Sequence, residues 1–164
     1  MKKLLLIRHA KAVHDADYTD FERPLKHSGT EDAILMAERL NSEAIIPQML
    51  VTSPALRTLA TSDIFAEHLE LPKPAEDVRI YDAGQQTLLD IVNQFPDDHN
   101  FIGLVGHNPG IGQLLNYLTD ESREVSPGAA ALITFDVDEW KLISYNMGKL
   151  IWFSSPKDHT NLKI

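Results

Sequence analysis

The chain has 164 residues, 43% of them hydrophobic, and its 15 Lys and Arg against 24 Asp and Glu give a formal net charge of −9. That balance suits one soluble globular domain large enough to bury a core, and the acidic total disfavours a nucleic-acid partner. With no cysteine, a thiol nucleophile, a disulfide framework and thiolate metal ligands are all excluded.

The apolar run after Met1-Lys2-Lys3 is four residues long before Arg8, short of the ~7–15 of a secretory signal core. No stretch approaches the ~18 apolar residues of a membrane span. A cytoplasmic protein with no membrane partner is the expectation. Leu4 to Ile7 reads as a strand buried on both faces. Ser28-Gly29-Thr30-Glu31 has capping-box spacing, and Ala33, Met36, Ala37 and Leu40 continue it as a helix. Met49-Leu50-Val51 is the next strand. Ser53-Pro54 then reads as a cap with proline at the first helical position, before Leu56, Leu59, Ala60 and Ile64. Val78 to Tyr81 is expected to be a short strand. Leu88, Ile91, Val92 and Phe95 form a third helical stripe that Pro96-Asp97-Asp98 breaks. Phe101 to Val105 is another buried strand. Asn108-Pro109 repeats the cap-and-proline signal, with Ile111, Leu114, Leu115 and Leu118 behind it.

The C-terminal part reads as strands over Ala130 to Phe135, Leu142 to Tyr145 and Leu150 to Phe153, with a solvated turn at Asp136 to Glu139. Alternating elements followed by a β-rich end predict an α/β sandwich with a mostly parallel sheet. One domain is expected over residues 1–155, and a polar tail over 156–164. The unpatterned stretch Lys11 to His27 follows directly on His9, and a loop of that length is expected to be functional.

Two apolar strands end abruptly in a histidine: Arg8-His9 closes the first, and Gly106-His107 the one after Phe101. Strand ends are where α/β proteins bind ligands. Arg57 falls at the start of the helix after Met49-Leu50-Val51, where a cation is unfavourable unless an anion compensates it. If these strands are parallel neighbours, Arg8, His9, Arg57 and His107 meet at one sheet edge. Such a set suits phosphoryl transfer, because arginine forks hold phosphate oxygens bidentately and stay charged. A neutral imidazole can attack through one ring nitrogen when the other is held as a donor.

Leu6-Ile7-Arg8-His9-Ala10, Ser53-Pro54-Ala55-Leu56-Arg57-Thr58 and Val105-Gly106-His107-Asn108-Pro109 together resemble the histidine phosphatase superfamily, in order and spacing, over nearly the whole chain. Ala10 in place of the glycine most members carry, with Phe21-Glu22-Arg23-Pro24-Leu25 before a Ser28-Gly29 helix start, resembles the SixA branch of phosphohistidine phosphatases. The resemblance implies a three-layer αβα, phosphoglycerate mutase-like fold. It implies His9 as nucleophile, Arg8, Arg57 and His107 as the phosphate pocket, and neither metal nor other cofactor. A phosphohistidine-bearing protein, a histidine phosphotransfer domain or a phosphocarrier, is then the expected substrate. Where the family often has a Gln-Thr-Ala-like segment this chain has Ala60-Thr61-Ser62, read as helix packing. Asp82 occupies the region of the general acid that many members carry. A phosphoramidate needs such an acid less, because imidazole can depart neutral whereas an alkoxide requires a proton.

Three alternatives accompany this reading. Asp15-Ala16-Asp17-Tyr18-Thr19 matches the DxDxT pattern of Mg²⁺-dependent aspartate phosphatases, but Asp15 lies eight positions after Ile7, with polar residues before it instead of a strand running into it. A non-enzymatic phosphate-binding module would need Arg8, Arg57 and His107 but no His9. A small-molecule phosphomonoesterase of the same superfamily is the rival within the enzyme class. His14 and Arg23, in the loop after His9, read as an exposed histidine and a partner for a nearby carboxylate.

Overall fold

The computed structural model describes residues 1–158. Six strands form one sheet: β1 (Lys2–Arg8), β2 (Met49–Thr52), β3 (Ala75–Glu76), β4 (Phe101–Gly106), β5 (Ala130–Phe135) and β6 (Gly148–Ser154). Their order across the sheet is β3-β2-β4-β1-β5-β6. β1, β2, β3 and β4 run parallel, and β5 and β6 add an antiparallel edge. Four helices cover it: α1 (His27–Ser42), α2 (Leu56–His68), α3 (Gln85–Asn93) and α4 (Gly110–Thr119).

The wholly apolar β1 explains the layering. Successive side chains point to opposite faces of a strand, so Leu4 and Leu6 pack with Leu88, Leu114 and Leu115 of α3 and α4. Leu5 and Ile7 pack with Ala33, Met36 and Phe65 of α1 and α2 on the other face. All four β1 residues are buried, as expected of a strand covered on both sides. The result is the three-layer αβα sandwich expected from the sequence. No helix among the described residues is long and apolar enough to cross a membrane.

Several local expectations are corrected. α1 starts at His27 with Lys26 as its cap, and Ser28 makes no capping bond. The site instead needs a glycine for space: a Cβ on Gly29 would collide with the carbonyl oxygen of Lys11. Gly29→Ala must push α1 away from the loop that follows His9, and it is expected to cost about 1–3 kcal/mol, read as a fall of several degrees in Tm. α2 starts at Leu56, not Pro54, because Ser53 Oγ accepts the Ala55 N–H at 3.2 Å and closes a turn first. Val78–Ile80 is a 3-10 turn, capped by Asp77 Oδ1 accepting from the Arg79 N–H, and the strand lies before it at Ala75–Glu76. Trp140–Leu142 is likewise a 3-10 turn, so the strand expected at Leu142 to Tyr145 is absent and β6 pairs directly with β5. At Asn108-Pro109 the helix begins two residues after the asparagine. Asn108 Oδ1 still accepts the Gly112 N–H at 3.1 Å.

Of the expected polar tail, Pro156–Asp158 is tied to the body. Asp158 Oδ2 accepts the Ser155 N–H at 2.9 Å, and its carbonyl accepts from the buried Arg39 at 2.8 Å. Residues 159–164, His159 included, lie outside the described residues.

Candidate active site

The parallel register pairs Arg8 with Gly106, so His9 and His107 each follow the last paired residue of adjacent strands. The His9 N–H donates to the Gly106 carbonyl at 3.1 Å, which carries the ladder one step further. The two ring centroids lie 5.4 Å apart, with the planes tilted by 58°. The first turn of α2 brings in Arg57, and all four residues predicted from the sequence line one cavity of about 360 Å³. Asp82 lines it too, at a left-handed backbone position (φ +57°).

His9 Nδ1 lies 2.7 Å from the Ala10 carbonyl oxygen. A carbonyl only accepts, so the ring proton sits on Nδ1 and the lone pair on Nε2. Burial, followed by the charges around His107, Arg57 and Arg8, lowers the His9 pKa to about 3. The ring is therefore neutral and nucleophilic at neutral pH. Thr61 supports it from behind. Its hydroxyl accepts the Ala10 N–H at 3.0 Å and donates to the Arg57 carbonyl at 2.8 Å. The Ala60-Thr61-Ser62 segment read as packing thus also ties the nucleophile's neighbour to the arginine's helix.

His107 Nδ1 accepts from Arg57 Nη2 at 3.3 Å, so its proton sits on Nε2 and is donated to Ser53 Oγ at 2.8 Å. Burial and then the Arg57 charge lower its pKa to about 4. Arg8 donates through Nη1 to the Val125 carbonyl at 2.9 Å. The Nε atoms of Arg8 and Arg57 are both buried with no hydrogen-bond partner. A buried cationic donor left unpaired is costly, and both arginines line the cavity, where an oxyanion would meet their charge.

The sequence marked the loop after His9 as functional, but not the bonds that hold it as a lid. This lid, residues 11–26, lines one side of the cavity; a bridge between Ala12 and Leu25 closes its base, and it brings Asp20 to Arg57. Arg57 Nη1 donates to the Asp20 carbonyl at 2.6 Å, and Nη2 to Oδ2 at 3.1 Å. Tyr81 donates to the same Oδ2 at 2.6 Å, and Arg23 Nε donates to Oδ1 at 3.1 Å. These bonds, that of Tyr81 first, hold the Asp20 carboxyl ionised with its pKa lowered to about 2. Arg23 is thus the carboxylate partner expected of it, and it also donates to His14 Nδ1 at 3.2 Å. A Tyr directly after a short Val-Arg-Ile turn and an Asp in a loop carry no pattern of their own, and the pattern around Ser53 points to a helix cap. Only the fold joins Tyr81, Asp20 and Ser53. Asp15 and Asp17 lie in an exposed turn where Asp15 Oδ1 takes the Asp17 N–H at 2.9 Å, not at a strand end.

The two depressed imidazoles make acid sensitivity predictable. The unfolded chain takes up protons near pH 6.5, while folded His9 and His107 refuse them until about 3 and 4. Stability is therefore full above about 6.5 and falls as pH drops below it, by up to about 1.4 kcal/mol per pH unit for each ring. Asp20 does not interfere there, since its contribution is lost only below the ordinary carboxyl value of 3.8. Urea midpoints between pH 7.5 and 5 should show this slope, and inorganic phosphate should flatten it by stabilising the protonated rings.

The family model for the histidine phosphatase superfamily (branch 1) matches residues 4–84, which contain Arg8, His9 and Arg57. A solved structure of the protein histidine phosphatase SixA with tungstate is 25% identical, covers 94% of this chain and 97% of that one, and superposes with a TM-score of 0.77. The chain belongs to the histidine phosphatase superfamily. The SixA structure from Agrobacterium tumefaciens shares the fold, with a TM-score of 0.82 at 21% identity over 94% of this chain and 98% of that one. An uncharacterised chloroplastic protein of Arabidopsis thaliana is 25% identical over 85% of this chain and 69% of its own length. As a member of the histidine phosphatase superfamily, the chain is a phosphatase. Tungstate, a tetrahedral oxyanion, is bound by the SixA of that complex.

Proposed function

We propose that the protein is a phosphohistidine phosphatase, carried by the one domain of residues 1–155, that works through a phosphohistidine on His9. The supporting observation is the neutral His9 ring, its Nδ1 proton held by the Ala10 carbonyl at 2.7 Å, beside two guanidinium groups with unpaired Nε–H donors. The His9 Nε2 lone pair attacks phosphorus, and the phosphorus–nitrogen bond to the substrate imidazole breaks. That imidazole leaves with the bonding pair, neutral when its far nitrogen carries a proton. Arg8, Arg57 and, once its Nδ1 is released by Arg57 and protonated, His107 hold the phosphoryl oxygens in the transition state. Water then attacks the phospho-His9. Because Ala10 keeps the proton on Nδ1, the ring departs as neutral imidazole and inorganic phosphate is released.

The charges that a metal would supply come from these side chains, so no metal takes part. Asp20 is held ionised and cannot give a proton. Asp82 is the pocket carboxyl left to act as an acid on a poorer leaving group. A phosphohistidine-bearing protein, a phosphotransfer domain or a phosphocarrier, needs that acid least.

The test compares phosphate release from a phosphohistidine-bearing protein and from p-nitrophenyl phosphate, in EDTA. Activity should persist in EDTA, kcat/KM should favour the phosphoprotein, and a trapped ³²P label should survive base and be lost in acid. Loss of activity in EDTA, or a higher kcat/KM for the ester, overturns the reading.

A further inference from the structure

A second cleft, of about 610 Å³, is lined by Tyr18, Phe21, Pro54, Leu56 and Leu59 together with the carboxylates Asp17 and Glu22. Three of its large apolar side chains are exposed to solvent, Tyr18 by 46%, Phe21 by 40% and Leu56 by 43%. Grouped exposed apolar side chains rimmed by polar ones mark interaction surfaces. This cleft has no lining residue in common with the catalytic cavity but lies next to it. Phe21 and Leu56 are the sequence neighbours of Asp20 and Arg57, and the Phe21 ring packs edge-on against Tyr81 at 5.1 Å.

The two hollows carry opposite charge. The catalytic cavity is lined by five cations, Arg8, Arg57, Arg23, Lys11 and Lys26, against two carboxylates, Asp20 and Asp82, whereas the charged residues lining the apolar cleft are both acidic. A free phosphate ester fills only the first. A surface that complements both presents a phosphoryl group, then an apolar side chain, then a lysine or arginine.

We infer that this cleft is the docking site for the substrate protein, gripping an apolar side chain flanked by a basic one beside the phosphorylated histidine. This rests on the phosphohistidine reading above, and the lid and α2 serve both hollows at once. Holding the partner there adds affinity without touching the reacting atoms, so it lowers KM for a protein and leaves small substrates unaffected.

The double variant Tyr18→Ala/Leu56→Ala and the single variant Asp17→Lys are assayed on a phosphohistidine-bearing protein and on phosphoramidate. The double variant should raise KM for the protein about tenfold, Asp17→Lys should raise it about threefold, and kcat/KM for phosphoramidate should stay at the wild-type value, which also reports correct folding. Equal losses on both substrates, or no loss on either, overturn the docking site. So does a wild-type dimer that the double variant turns into monomer by sedimentation, since the cleft would then cover a second copy of the chain. A wild-type enzyme that cleaves phosphoramidate but not the phosphoprotein refutes the phosphoprotein reading itself, a result distinct from any of these.

Discussion

Replacing His9 with alanine is expected to lower turnover of phosphohistidine by at least ~10⁴-fold. No other described side chain in the cavity offers a neutral lone pair beside both arginines. His107 has both ring nitrogens engaged, by Arg57 and Ser53, and its proton lies on the nitrogen facing the serine. The variant should keep most of its affinity for inorganic phosphate, because Arg8 and Arg57 remain. It should incorporate no acid-labile ³²P. Phosphate release followed by product-inhibition titration separates the two effects: a collapse of kcat with little change in phosphate inhibition fits a nucleophile. Turnover surviving in His9→Ala would move attention to Asp15 and Asp17, which the structure places in an exposed turn.

Arg57→Met is expected to cost about 10²–10³ in kcat/KM. The arginine is buried, and it joins the lid, through both the carbonyl and the carboxylate of Asp20, to His107. Methionine fills similar volume but removes the oxyanion donors and the lid's main anchor. Arg57→Lys should recover only part of the loss, since a point charge cannot span two partners as the planar fork does. A second readout comes from His107. The Arg57 charge is the next cause after burial of its low pKa, so the value near 4 should rise in Arg57→Met but not in Arg57→Lys. An NMR titration of the His107 ring measures this, and an unmoved ring would sever the link between the two residues.

The sheet edge was legible in the sequence because its signals are local. Leu4 to Ile7 is apolar without alternation, which requires burial on both faces, and the strand ends where Arg8-His9 turns polar. The same holds for Phe101 to Val105 and His107. Arg57 was legible because a cation at a helix start needs an anion. The loop after His9 was marked by its length, but its bonds were not legible, because they join side chains far apart in the chain: Asp20 reaches Arg57 and, across 61 positions, Tyr81. Ser53 was misread for a related reason. A serine before proline fits a helix cap, yet its oxygen is used by the Ala55 N–H and by the His107 ring, and nothing near it in sequence announces a histidine 54 positions away. The Val78 and Leu142 segments failed as strands because short apolar runs do not distinguish extended backbone from a 3-10 turn.

The rung shared by Arg8 and Gly106 makes the spacing of the two histidines a property of the backbone, not of the packing around them. Strand separation in a sheet is set by peptide hydrogen bonds at about 4.8 Å, so repacking the core beneath β1 or β4 leaves the rings opposed. Length is a different matter. One residue inserted into or deleted from either strand would swing its terminal histidine to the opposite face of the sheet, separating the pair by the thickness of the protein layer. Arg8 itself apart, the site thus depends less on which apolar side chains these strands carry than on their residue count.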